Sequence, residues 1–201
     1  MRPNRRYILL FSMTMIAGVY LHEVGHAVAG WVQGVAIVPM PAKEYVLQSQ
    51  LAWNREIWIA LGGVIGTTGV ALASALYFWR KPCFDREAIL AGAFVLPGCY
   101  SLRFLLVGRG HDDTEWQAAQ TALGLPPTGH VIDAFFLCLL VAGFVVWGIR
   151  LYSPSSLLRL VTLAIAGIIL LVVLQVGNNA VFDRVFPAVK MVNVPAGLDP
   201  R

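Results

Sequence analysis

Five mostly apolar stretches alternate with short polar breaks along the chain, at about 7–30, 56–79, 88–107, 131–151 and 157–177. Each is about 20 residues or longer, the length that carries an α-helix across roughly 30 Å of hydrocarbon. The pattern predicts an all-α integral membrane protein with about five transmembrane helices. The loops between the runs leave no room for a separate soluble domain. Residues 1–201 therefore read as a single polytopic membrane domain, with a core at about 7–125 and two further helices and a short tail at 126–201.

The breaks predict smaller features. Between the first two runs, residues 35–38 and 45–47 are short β-prone pieces around Pro39-Met40-Pro41, which suits a small hairpin or a re-entrant loop. Non-helical backbone at membrane depth is tolerated where protein covers it or it lines a wet cavity. Gly62 and Gly66 in the second run form a small-xxx-small pair. Such a pair lets a neighbouring backbone approach closely, here the first helix. In the third run Pro97-Gly98 predicts a break or kink. After it, Gly108 to Glu115 is the densest ionisable cluster in the chain and opens a second helical stretch ending near Leu125-Pro126-Pro127. Asp112 or Asp113 is expected to cap that stretch, with Glu115 in its first turn.

Composition agrees with a lipid-facing chain: 58% of residues are hydrophobic and 13% charged, about half the charge of an ordinary soluble domain. Arg5 and Arg6 before the first run resemble the start of a signal peptide. However, the run continues beyond the usual h-region and has no clear A-x-A site, so it reads as a retained helix. A net charge of +4, with basic residues at the ends of apolar runs and no basic stretch interleaved with aromatics in the pattern a nucleic-acid surface needs, does not suggest nucleic acid. Arg2, Arg5, Arg6, Arg80, Lys81, Arg86, Arg150 and Arg159 fall on one side and predict an N-terminus inside. Cys83, Cys99 and Cys138 form no CxxC pair and read as small apolar residues.

The candidate chemistry lies late in the first run, at His22-Glu23-Val24-Gly25-His26. Histidines four apart share a helix face, close enough to hold one ion. Glu23 projects beside the metal position, where a carboxylate can relay a proton from water to a leaving amine. With 4 His and 5 Glu in 201 residues, chance yields HExxH roughly twice in a thousand such chains. Three ionisable groups inside a lipid-embedded helix also demand a functional reason. Zinc in a catalytic site takes three protein ligands and keeps one position open. Asp112, Asp113 and His111 follow the third run as HExxH ends the first, so all three fall near the same membrane face. Asp133 and Arg103 are less well placed, and read as a helix-start carboxylate and a snorkelling or ion-paired arginine.

HEVGH in a first hydrophobic helix, an aspartate after the third, and glycine-rich packing between them resemble the site-2 protease family of intramembrane metalloproteases. The resemblance covers about 7–125 and marks that stretch as a catalytic core. It implies Zn²⁺ on His22, His26 and a distant aspartate, Glu23 as general base, and cleavage of membrane-protein substrates in or near their transmembrane segments. By position the ligand role falls on Asp112, with Asp113 a close alternative and His111 still open. The family commonly shows Asp-Gly in a longer Asn/Pro-containing signature, where this chain has Gly110-His111-Asp112-Asp113. The resemblance also implies a metal facing the cytosol, opposite to the sidedness of the charge pattern. The expected setting is the lipid bilayer, as a multi-pass protein of the cell membrane, with oligomeric state undetermined. Two other functions compete: a divalent-metal transporter using the same His/Glu cluster, and a non-catalytic membrane scaffold.

Overall fold

A computed structural model describes residues 5–47, 53–151 and 154–185. Within them the chain forms seven helices and one hairpin: α1(Arg5–Val32), β1(Ile37–Met40), β2(Lys43–Val46), α2(Trp53–Arg80), α3(Phe84–Ala93), α4(Val95–Val107), α5(His111–Ala122), α6(Val131–Leu151) and α7(Pro154–Val185). Helices α1, α2, α6 and α7 are long and apolar enough to cross a membrane, and the bent pair α3–α4 makes a fifth candidate span. This is the all-α membrane architecture the apolar runs predict. The outer surface agrees: Ile165, Ile169, Val172 and Val176 form a stripe on α7, each more than half exposed. In water such a stripe is an aggregation hazard; in lipid it is the expected surface.

Three local features position the site. First, α1 and α2 pack backbone to backbone. A Cβ on Gly25 or Gly62 would overlap the other's carbonyl, and one on Gly66 would overlap the Leu21 carbonyl. The Gly62–Gly66 pair therefore does what small residues do between membrane helices, bringing α2 directly against the HEVGH face.

Second, α1 ends in a Schellman motif: Val35 N–H donates to the Gly30 carbonyl at 2.9 Å, and Gly34 N–H to Trp31 at 3.0 Å. Gly34 takes φ +74°, a left-handed position that glycine occupies without steric cost. The reversal turns the chain back over α1, where Val35, Ile37 and Val46 bury against Ala27 and Ile59. The antiparallel hairpin pairs Ile37 with Val46 and Met40 with Lys43.

Third, the break in the third span lies at Phe94, with a bend of 44°, rather than at the expected Pro97-Gly98. Pro97 sits in the first turn of α4, where a missing N–H is harmless. A continuous helix would drive its ring into the carbonyl four residues earlier, that of Ala93. The helix therefore ends at Ala93 and restarts. Far from the site, at the start of α1, Arg159 of α7 grips the fully buried Glu87 of α3 through hydrogen bonds of 2.6, 2.6 and 3.0 Å.

Candidate metal centre

His22 and His26 lie on one face of α1, both buried, with their Nε2 atoms 3.0 Å apart. Two ligands about 2.0–2.1 Å from a tetrahedral ion stand about 3.3 Å apart, so a small opening of the pair suffices to seat one. The rings reach this position because α2 has a glycine opposite them. A Cβ on Gly63 would overlap His26 Nε2 and Cε1 and stand 2.7 Å from His22 Cε1.

Helix α2 also orients both rings from behind. His26 Nδ1 lies 2.7 Å from the Ile59 carbonyl. A carbonyl can only accept, so Nδ1 carries the hydrogen and Nε2 keeps its lone pair free for an ion. His22 Nδ1 lies 2.8 Å from the hydroxyl of Thr67, a partner able to donate or accept. Both Nε2 atoms thus point into the same space.

Asp112 supplies the third ligand-type side chain. The first turn of α5 brings its Oδ2 to 3.8 Å from His22 Nε2. One atom from each of His22, His26 and Asp112 falls within 4.8 Å of the others. Among the described residues the buried Asp112 Oδ2 has no hydrogen-bond partner, and Glu23 Oε2 is in the same condition. Orphaned buried carboxylate oxygens carry a heavy desolvation penalty. A cation between these three side chains removes it, so the donor set of two imidazoles and one carboxylate fits zinc.

The neighbouring Asp113 points elsewhere. Its Oδ2 lies 3.2 Å from His130 Nδ1, away from the His22–His26 pair. Burial first, then the facing Asp133 carboxyl, pushes Asp113 up to about 6. The His111 side chain lies outside the described residues. The capping expectation is corrected: Gly110 is the N-cap of α5, with no side-chain cap bond, and Asp112 and Asp113 lie inside the first turn. Glu115 stands just beyond that turn. The Gly110 N–H instead donates to Asp133 Oδ2 at 2.8 Å, so Asp133 is a helix-start carboxylate of α6 that also holds down the start of α5.

Several site residues escaped the sequence reading. Glu44 of β2 comes within metal-ligand reach of Glu23 and His26. Strand alternation explains how: Glu44 faces the site, while Lys43 and Tyr45 on the other face hold Asp183 of α7 at 3.0 and 2.7 Å. Burial works against the Glu44 charge, but with His26 protonated, before an ion takes its Nε2, the imidazolium and a hydrogen bond with Glu23 hold Glu44 down at about 2. Tyr100 of α4 brings its hydroxyl to 3.1 Å from His22 Nε2, its ring stacked on Phe136 at 4.9 Å. These side chains line a cavity of about 430 Å³ that Glu115, Arg103, Leu171 and Gln175 also border. Two α7 residues therefore reach the site, beyond the 7–125 stretch expected to carry it. The one available signal for Glu44 was a lone acidic residue just before the β-prone piece at 45–47.

No family model, curated protein or solved structure matches this chain.

Proposed function

We propose that this chain is an intramembrane zinc metalloendopeptidase that hydrolyses peptide bonds in or near transmembrane segments of membrane proteins of the cell membrane. The observation that carries the reading is the convergence of His22 Nε2, His26 Nε2 and the orphaned Asp112 Oδ2 beside a buried Glu23, within a membrane-type fold. A zinc ion held there supplies Lewis acidity, lowering the pKa of water toward about 7 and polarising a peptide carbonyl.

The chain's own groups do the rest. Glu23, next in sequence to His22 and 7% exposed, is placed to accept a proton from the attacking water and pass it to the leaving amine nitrogen. The Tyr100 hydroxyl faces the same space and can donate a hydrogen bond to the oxyanion that forms from the carbonyl. The hairpin, with α4 and α7, walls the cavity, limiting access of bulk water and letting an unwound segment of substrate enter between protein surfaces.

The test is cleavage of a single-pass reporter substrate in proteoliposomes. Glu23→Gln is expected to retain zinc and helicity while losing cleavage by at least about 100-fold; undiminished cleavage would overturn the assignment. A divalent-metal transporter remains the second reading, because a further His/Asp group, Asp113, His130 and Asp133, stands next along α5 from Asp112. Zinc flux into the same vesicles, with no cleavage of the reporter, would favour it.

A further inference from the structure

Asp113 follows Asp112 by one residue, so on α5 it is rotated about 100° away from the His22–His26 pair. It faces the start of α6. There His130 Nδ1 lies 3.2 Å from Asp113 Oδ2 and 3.5 Å from Asp133 Oδ2. One ligand atom from each of the three lies within 4.8 Å of the others. Nitrogen and oxygen ligands of a tetrahedral ion, each about 2.0–2.2 Å away, stand roughly 3.3–3.5 Å apart. Both separations from the imidazole are close to that spacing.

The surroundings favour an ion over a simple ion pair. Asp113 and Asp133 are each 1% exposed. The Gly110 N–H holds Asp133 through the same Oδ2 that faces His130, and ligating carboxylates are commonly hydrogen-bonded in this way. Among the described residues neither Asp113 oxygen has a hydrogen-bond partner of good geometry, and the side chain is aimed into the group. The backbone amide of Ile132 also favours the Asp113 charge. An imidazolium at position 130 would offer one positive charge to two buried carboxylates, whereas a divalent cation offers two. His130 is about half exposed, giving an ion a path from solvent, and its ring is held against Phe104 with centroids 5.3 Å apart.

We propose that Asp113, His130 and Asp133 form a second divalent-cation site, of the zinc or manganese type that accepts one imidazole and two carboxylates. The ion joins the start of α5 to the start of α6. That junction sets the rotation of α5, and so keeps Asp112 turned toward His22 and His26.

The test is metal content of the full chain in nanodiscs after equilibration with micromolar Zn²⁺ alone. Two zinc per chain are expected in the wild type, one in His130→Gln and one in His22→Gln/His26→Gln. A wild type that saturates at one, with none left in His22→Gln/His26→Gln, would overturn the proposal and favour a proton shared between the two carboxylates. So would a His130→Gln chain that still holds two. One zinc in the wild type, kept by His22→Gln/His26→Gln and lost by His130→Gln, would support this site while sinking the first. Should the double variant fail to fold, titration of the metal-free wild type with Co²⁺ decides: two spectral phases, one of them absent from His130→Gln, support the site, and a single phase common to both overturns it.

Discussion

Replacing Gly63 with alanine changes one hydrogen to a methyl group at the point where α2 meets both imidazoles of the proposed metal centre. The added Cβ would overlap His26 Nε2 and Cε1 and stand 2.7 Å from His22 Cε1. An ordinary contact is about 3.5–4.0 Å, so the rings or the helix must give by about 1 Å. The rings cannot swing away freely, because Ile59 and Thr67 of the same α2 hold their Nδ1 atoms. Either α1 and α2 separate, losing the Gly25–Gly62 contact, or the Nε2 atoms leave their positions. Overpacking of this kind costs about 1–3 kcal/mol. Disturbed ligand orientation costs about 10–100-fold in metal affinity, and a 1 Å misplacement of reacting groups about 100-fold in rate. Zinc affinity by competition with a chromophoric chelator and thermal unfolding in detergent measure both effects. Gly69→Ala on the same helix is the control, since a Cβ there meets nothing within 4 Å, and it is expected to be neutral or stabilising by up to about 1 kcal/mol. A Gly63→Ala chain with wild-type zinc affinity and unfolding temperature would refute the packing argument.

Other expectations follow from the same geometry. Thr67→Val removes the partner of His22 Nδ1 and is expected to weaken zinc binding by about 10–100-fold, read by the same chelator competition. Tyr100→Phe keeps the stacking on Phe136 but removes the hydroxyl; kcat on a reporter substrate is expected to fall about 100-fold with zinc content unchanged. At the far end of the bundle, Arg159→Met leaves the Glu87 carboxylate, 0% exposed, without its bidentate partner. A loss of roughly 3–5 kcal/mol in detergent unfolding is expected, largely recovered by the Glu87→Leu/Arg159→Met double variant.

Much of this architecture is legible because lipid imposes a coarse rule: about 20 apolar residues per span. The runs at 7–30, 56–79, 131–151 and 157–177 correspond to α1, α2, α6 and α7, and that at 88–107 to the bent α3–α4 pair. The half of the site borne by α1 is equally visible, because residues four apart share a helix face whatever the tertiary structure. The remainder depends on the rotation and approach of other elements. Asp112 and Asp113 differ by a single step along α5, and which of them faces the histidines depends on how the start of α5 is anchored, in part by the Gly110 N–H on Asp133. Glu44 reaches the site through strand alternation in a hairpin whose placement follows from the turn at Gly34. Gly63 is one glycine among several in α2, and its contact with two imidazoles is a matter of interhelical distance rather than pattern. The position of the bend, at Phe94 rather than Pro97, follows from a clash that acts four residues upstream of the proline.

The central claim is that α1 and α5 together hold one zinc ion. Anomalous diffraction at the zinc edge from zinc-loaded crystals of the full chain tests it most directly. A peak within about 2.0–2.2 Å of His22 Nε2, His26 Nε2 and an Asp112 oxygen is the predicted result. A map with no peak between the two imidazoles, or with the ion there held by Glu44 or Asp113 in place of Asp112, would contradict it.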